Sequence, residues 1–187
     1  MPNHLFLPAL PILTFLLSIF ESCPIVALQL DLIFLTSPEA EGPLDALDFP
    51  RRTVEELIDP TSSIENALDV GCAVGRSSFV LAELADSVLG VDYSSSFIDA
   101  AKAISESGEL DYEYHEEADR RKKGKAIIDR IPDNLQFEVG DACNLRDDLG
   151  SFDLVHAANL LCRLPEPQTF LARLTELVSP GGQLLLT

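Results

Sequence analysis

Apolar and polar positions alternate in a regular way from Ile64 to the end of the 187-residue chain. Short apolar runs, long enough for one buried strand each, are separated by segments with helical periodicity. This alternation is typical of a parallel sheet with crossover helices. The pattern therefore predicts an α/β fold, a doubly wound sheet with strands at residues 66–70, 87–91, 135–139, 152–157 and 183–187.

The helical segments carry recognisable start and stop residues. They begin near Arg76, at Ser94 or Ser95 as N-cap, and at Gln168. Gly108 is suited to end the second of these helices. A further short helix is predicted to open at the capping-box spacing of Thr53-Val-Glu-Glu56 and to end before Pro60.

The N-terminal part of the chain differs from the rest. Residues 5–20 are almost entirely apolar, yet no basic residue precedes them, two prolines interrupt them, and a spanning helix needs roughly 20 residues. Three interpretations stay open: a segment foreign to the domain (a misjudged start of the reading frame), a signal peptide, or an anchor or packing helix. We therefore expect an N-terminal segment and linker at 1–46 and one domain at 47–187.

Charge and cysteine usage limit the possible partners. The net charge of −18 disfavours a nucleic-acid or anionic membrane partner. The basic cluster at 120–125 adjoins an acidic run at 113–119, so we interpret the pair as a solvated charged segment rather than a nucleic-acid patch. The four cysteines and three histidines lack the spacing of a metal site, so no metal is expected, and reduced thiols favour a cytoplasmic protein. A secreted or membrane-anchored protein is the alternative that residues 5–20 leave open.

The first strand leads into a glycine-rich corner, Asp69-Val-Gly71-Cys72-Ala73-Val-Gly75. In a doubly wound sheet the ligand lies at this corner. A dinucleotide fingerprint would need glycines at the third and sixth positions counted from Gly71, where Ala73 and Arg76 stand, so NAD and FAD are disfavoured. The corner instead resembles motif I of the class I S-adenosylmethionine-dependent methyltransferases, whose fold is Rossmann-like.

That resemblance implies a cofactor site at the ends of the next strands. Asp92 ends the second strand, 23 residues after Asp69, where the family's acidic residue accepts hydrogen bonds from both ribose hydroxyls. Tyr93 follows it, and Asp141 and Ala142 end the third strand, where the family contacts the adenine. The resemblance thus implies S-adenosylmethionine as cofactor, held by Asp69, Gly71, Cys72, Ala73, Gly75, Asp92, Tyr93, Asp141, Ala142 and Asn159.

A closer resemblance is to the methyltransferase domain of ovothiol biosynthesis, carried by "ALDVGCAVGRSSF", "GVDYSSSFI", "GEL", "GDACNL" and "FDLVHAANLLCRL". It covers the chain from about residue 47 and implies N-methylation of the imidazole of 4-mercaptohistidine (5-thiohistidine). His156 departs from the apolar residue usual there. The alternatives are another small-molecule acceptor, since a fold does not determine the substrate, or cofactor binding without turnover.

Substrate contacts are expected from the loop after the fourth strand, 157–165, and from the insertion 108–132, with Asn159 and Arg163 as candidates. Methyl transfer depends mainly on holding the nucleophile in line with an already activated methyl group, so no catalytic residue is assigned. The family has seven strands, whereas the fifth ends this sequence at Thr187. We therefore expect a sheet truncated after strand five, with weak turnover and possible self-association through that strand's open edge.

Overall fold

A computed structural model of the chain describes residues 49–117 and 120–187. Within these ranges the helices are α1 (Phe49–Leu57), α2 (Arg76–Leu81), α3 (Ser95–Ser107) and α4 (Pro167–Leu177). The strands are β1 (Ile64–Val70), β2 (Ala85–Asp92), β3 (Glu109–Glu117), β4 (Arg120–Ile127), β5 (Leu135–Val139), β6 (Phe152–Ala157) and β7 (Val178–Leu186). Single 3₁₀ turns occur at Ala142–Asn144, Asp147–Leu149 and Leu161–Arg163.

Five of these strands form one parallel sheet in the order β5-β2-β1-β6-β7. From β1 the chain first moves outward through β2 to β5, then returns to the other side of β1 with β6 and β7. The order therefore reverses between β1 and β6, which is where an open α/β sheet leaves a crevice for a ligand. The predicted doubly wound α/β fold and its five sheet strands are confirmed.

Alternate residues of the central strands face opposite sides of the sheet, and each side has its own core. Ala67 of β1 packs in one apolar cluster with α2 and α3, where Leu81 and Ile104 are fully buried. Leu68 packs in the other cluster with α4, where Phe170 is fully buried. The near-continuous apolar runs of β1 and β6 follow from burial on both faces.

Helix α1 starts earlier than predicted. It begins at Phe49, so Thr53 lies inside the helix and the capping-box interpretation is wrong. The Thr53 hydroxyl instead donates to the Pro50 carbonyl, at 2.8 Å. An intrahelical bond of this kind satisfies the hydroxyl without a helix start, which the spacing of residues alone could not distinguish.

The charged insertion contains two paired strands. Strands β3 and β4 pair as an antiparallel hairpin that forms a separate two-stranded sheet. Opposite charges face each other across it: the Lys125 ammonium lies 3.0 Å from Glu109, and that of Lys123 lies 3.3 Å from Glu113. Tyr112 is buried, which ties the base of the hairpin to the body. The two charge runs thus contribute cross-strand partners.

The predictions for the N-terminal segment and for the open edge of the fifth strand depend on which residues the structure describes. The N-terminal segment 1–46 lies outside the described residues. No helix in the described ranges is both long and apolar enough to cross a membrane. Strand β7 is an edge of the five-stranded sheet as far as residues 49–117 and 120–187 are concerned, and it begins at Val178, five residues before the predicted start. Self-association through it stays a prediction.

Candidate functional site

The corner between β1 and α2 has a backbone that requires small residues. Gly71 and Gly75 have φ of 76° and 90°, in the left-handed region, and Ala73 joins them at 49°. A Cβ on Gly71 would lie 2.9 Å from the Leu160 side chain, and one on Gly75 would lie 2.7 Å from the ring of Phe137. The glycines therefore serve both the turn and the close approach of neighbouring groups.

Asp92 connects this corner to the next strand. One of its carboxylate oxygens accepts from the backbone N–H of Ala73, at 2.9 Å, and the other from that of Ser94, at 2.8 Å. Since each carboxylate oxygen has two lone pairs, both keep capacity for a further donor. Asp92 lines the adjoining cavity, so that capacity is available to a ligand.

Two adjoining cavities open at the carboxyl ends of the strands. The larger, of about 420 Å³, lies between the ends of β2 and β5 and the turn at 161–163. The smaller, of about 140 Å³, lies between the glycine corner and the first turn of α1. The larger is lined by Gly71, Asp92, Tyr93, Asp141 and Ala142 among the predicted cofactor residues, and the smaller by Asp69, Gly71, Cys72, Ala73, Asp92 and Asn159.

The structure thus brings together all but one of the predicted cofactor residues. Gly75 is the exception: it does not line either cavity and instead gives room to Phe137. Tyr93 is 80% exposed, so its ring is free to cover a ligand in the larger cavity. Asp141 caps the 3₁₀ turn after β5, accepting from the N–H of Cys143 at 2.8 Å.

The loop after β6 supplies the remaining candidates. Asn159 has φ of 53°, and its N–H donates to the carbonyl and hydroxyl oxygens of Thr187, at 3.1 and 3.2 Å. The end of β7 therefore holds Asn159 in a conformation that a non-glycine residue seldom adopts. Arg163 lines both cavities and is the predicted substrate contact that the geometry places nearest to their junction.

Sequence reasoning missed a buried polar cluster behind the corner. Asp69 and His156 are each only 1% exposed, and His156 Nδ1 lies 2.7 Å from Asp69 Oδ1. The hydroxyls of Ser77 and Ser78 donate to the other oxygen, at 2.7 and 2.6 Å. The available signal was the parallel pairing of β1 with β6, which places Asp69 and His156 side by side.

This cluster sets the charge states around the corner. Burial by itself raises the pKa of Asp69, but the neighbouring His156 and the hydrogen bonds from His156, Ser78 and Ser77 outweigh it and hold the pKa below its ordinary value. Burial, together with the carboxylates of Asp69 and Asp92, raises the pKa of the Cys72 thiol well above its usual range. Cys72 is therefore a neutral, small lining residue rather than a reactive thiolate.

A family profile described as "Methyltransferase domain" matches residues 68–184. Among curated proteins, a ubiquinone biosynthesis O-methyltransferase of Coxiella burnetii is 30% identical over 123 residues, 66% of this chain. The trans-aconitate 2-methyltransferase of Deinococcus radiodurans is 32% identical over 142 residues, 75% of this chain. The chain spans 43% of the length of each of these relatives.

Solved structures agree on the fold. Phosphoethanolamine N-methyltransferase 1 of Haemonchus contortus, in complex with phosphoethanolamine and S-adenosylhomocysteine, aligns with a TM-score of 0.54 at 24% identity, over 74% of this chain and 25% of that one. An amino pentose methyltransferase of Micromonospora echinaspora with bound S-adenosylmethionine aligns with a TM-score of 0.53 at 17% identity, over 74% and 49%. These likenesses confirm the Rossmann-like fold.

Proposed function

Because the chain belongs to the methyltransferase domain family, we propose that it binds S-adenosylmethionine and transfers the methyl group to a small-molecule acceptor. The observation that carries this proposal is one continuous site, in which the glycine corner, Asp92 and Asp141 surround adjoining cavities at the reversal of strand order. The prediction of a class I S-adenosylmethionine-dependent methyltransferase is confirmed at the level of the family.

The residues present fit this cofactor. Gly71 lines both cavities and has no Cβ, so a ligand can approach its backbone closely. Asp92 keeps acceptor capacity on both oxygens, which suits the two hydroxyls of a ribose, and Asp141 with Ala142 lies across the larger cavity. When bound, S-adenosylmethionine supplies an activated methyl group. The chain's own contribution is then to orient the acceptor and exclude water.

For the acceptor, we propose the imidazole of 5-thiohistidine. The support is the ordered set of motifs shared with the ovothiol methyltransferase domain, together with Arg163 at the junction of the two cavities. A guanidinium there suits the carboxylate of an amino-acid substrate, and Asn159 offers an amide close by. A neutral imidazole nitrogen attacks without a strong base, which agrees with the lack of an assigned catalytic residue.

A second acceptor class has its own support. The two curated relatives are named for an O-methylation in ubiquinone biosynthesis and for methylation of trans-aconitate. The first name specifies an oxygen acceptor and the second a small carboxylic acid, and fold and cofactor do not determine the acceptor. A carboxylate-bearing acceptor other than thiohistidine would also fit Arg163.

The deciding experiment incubates the chain with S-adenosylmethionine and either 5-thiohistidine, histidine or trans-aconitate, and quantifies S-adenosylhomocysteine and methylated product by mass spectrometry. Methylated thiohistidine, with much less product from the other two, is the expected result. Product from trans-aconitate alone would refute 5-thiohistidine as the acceptor and support the second acceptor class instead. Cofactor binding without product from any acceptor would indicate a binding domain without turnover.

A variant tests the role of Arg163. Arg163→Gln removes the guanidinium, so KM for 5-thiohistidine should rise by about 10- to 100-fold, the loss expected for a charge-assisted hydrogen bond. Affinity for S-adenosylhomocysteine should change much less. An unchanged KM would remove Arg163 from the acceptor site.

We also propose that the chain self-associates through the outer edge of β7. Leu184 on this strand is 42% exposed, and an edge strand that pairs with no further strand among the described residues can pair with another copy. Leu184→Lys should then shift the chain to monomer in sedimentation velocity at micromolar concentration. A monomer already present without the substitution would refute the proposal.

A further inference from the structure

A chain of hydrogen bonds runs from the glycine corner to helix α1. His156 Nδ1 lies 2.7 Å from Asp69 Oδ1, and His156 Nε2 lies 3.0 Å from Thr53 Oγ1. The Thr53 hydroxyl lies 2.8 Å from the Pro50 carbonyl oxygen. His156 thus joins strand β6 to β1 on one side and to α1 on the other, and it is only 1% exposed.

The donors and acceptors along this hydrogen-bond network indicate the protonation state of the His156 ring. The Pro50 carbonyl only accepts, so the single hydroxyl proton of Thr53 is used there. Thr53 Oγ1 must then accept from His156, which places a proton on Nε2. At the other end the Asp69 carboxylate accepts, which places a proton on Nδ1. These partners together favour a proton on each ring nitrogen, which is the arrangement of an imidazolium.

The environment satisfies this buried charge. Asp69 provides the opposite charge, and its second oxygen is held by Ser77 and Ser78. A buried ion pair persists only when most of its hydrogen-bonding positions are filled, and Asp69 has one donor on Oδ1 and two on Oδ2. These three protein donors hold the buried carboxylate within the network.

The far end of the network is a wall of the site. Phe49 and Pro50, in the first turn of α1, line the smaller cavity opposite the glycine corner. The other end of α1 is held separately, by the backbone N–H of Asp59 donating to Gln183 Oε1 at 2.8 Å. The contact between His156 and Thr53, with the bond from Thr53 to Pro50, is therefore a polar link between the sheet and the first turn.

We propose that His156, as a buried imidazolium, is a positioning residue that holds the first turn of α1 as one wall of the cofactor cavity, so that cofactor affinity depends on its contact with Thr53. This rests on cofactor binding by the chain and is independent of the acceptor.

A pair of variants at Thr53 tests the dependence of affinity, with S-adenosylhomocysteine titrated by calorimetry. Thr53→Val keeps the shape and removes the acceptor for Nε2–H, so affinity should fall by about 3- to 10-fold, the effect of one hydrogen bond. Thr53→Ser restores the hydroxyl and should bind like the unmutated chain. Thr53→Val with unchanged affinity would overturn the proposal.

Two controls separate positioning from loss of stability. Ile104→Val removes a buried methyl group in α3, remote from the network, and should lower thermal stability without lowering affinity. Glu56→Gln changes the exposed side of α1, where Glu56 pairs with Arg52, and should leave affinity unchanged. If Ile104→Val weakened binding as much as Thr53→Val, affinity would only be following stability and the proposal would fail.

The charge state is tested directly by NMR of the chain labelled with ¹⁵N-histidine, with His156→Gln used to assign the signals. Both ring nitrogens of His156 should show the shifts of protonated nitrogen at neutral pH. One unprotonated nitrogen would refute the imidazolium. This measurement decides the charge state even where a variant folds poorly, and it stands if the chain fails to bind S-adenosylhomocysteine, which would refute the proposed function instead.

Discussion

The ends of β1 and β2 each carry one aspartate, and the structure uses the two in opposite ways. Asp69 is 1% exposed, and its oxygens are occupied by two serine hydroxyls and a histidine. Asp92 lines both cavities, and among the residues that the structure describes its oxygens accept from the N–H groups of Ala73 and Ser94 alone. One carboxylate organises the interior, and the other faces the cavities.

This difference shows how neighbouring elements assign a role to a side chain. Asp69 is enclosed because β6 places His156 beside it and α2 places two hydroxyls against it. Asp92 ends the neighbouring strand, where the chain turns away into α3 and leaves space. Substitutions at the two sites should therefore separate stability from binding.

The largest effect should come from Asp69→Ala. It leaves the buried His156 ring without its carboxylate partner and two serine hydroxyls without an acceptor, so the free energy of unfolding should fall by about 3–5 kcal/mol. Denaturant titration followed by circular dichroism measures this. The matched control is Asp99→Ala on the exposed side of α3, for which we expect a change within about 0.5 kcal/mol. Equal effects at both sites would contradict the structural role of Asp69.

Asp92→Ala should produce the converse result. Binding of S-adenosylmethionine should weaken by about 1–3 kcal/mol, because charge-assisted hydrogen bonds to the ligand are lost. Stability should fall less than for Asp69→Ala, since the freed N–H groups of Ala73 and Ser94 adjoin the open cavity. Calorimetry that showed equal affinity for this variant and the unmutated chain would remove Asp92 from the site.

Gly71 lies between the two aspartates, and its replacement sharpens the comparison. Gly71→Ala should cost about 1–2 kcal/mol of stability for an alanine at left-handed φ, and it should also lower cofactor affinity because the new Cβ collides with Leu160. Gly108→Ala is the matched control, since φ there is 81° and a new Cβ would lie at an ordinary contact distance of 3.5 Å from Ile131. Equal stability losses at the two glycines, with no loss of affinity at Gly71, would refute the role of the Leu160 contact.

The smallest effect should be the acid dependence of stability. The pKa of Asp69 is held below its ordinary value in the fold, so its contribution is present above the unfolded value of about 4 and is lost as pH falls through the folded pKa. Asp69→Asn should flatten the decline of unfolding free energy over this acid range. Asp148→Asn breaks an exposed pair with Arg146 and should keep most of the decline. An identical acid dependence for Asp69→Asn and the unmutated chain would be the contrary outcome.

Local patterns were sufficient for the sheet and for the cavity lining. Short, continuous apolar runs are typical of central parallel strands, which are buried on both faces. The carboxyl ends of such strands meet at one edge of the sheet. Asp92, Asp141 and Gly71 could therefore be assigned to one site before their distances were known. The predicted start of α1 was wrong because threonine is a residue type preferred at the N-cap, whereas Thr53 makes its hydrogen bond within the helix.

The sequence by itself determined the five strands of the sheet, the glycine corner and the acidic residues beside it. The strands follow from periodicity, and the corner follows from a backbone geometry that small residues permit. Only the tertiary structure decided that Asp69 is enclosed, that His156 is its partner, and that β3 and β4 pair as a hairpin. Residues 69 and 156, like the strands of the hairpin, interact across distances that no local pattern encodes. Their roles depend on which strand lies beside which, and that is settled by the packing of the whole sheet.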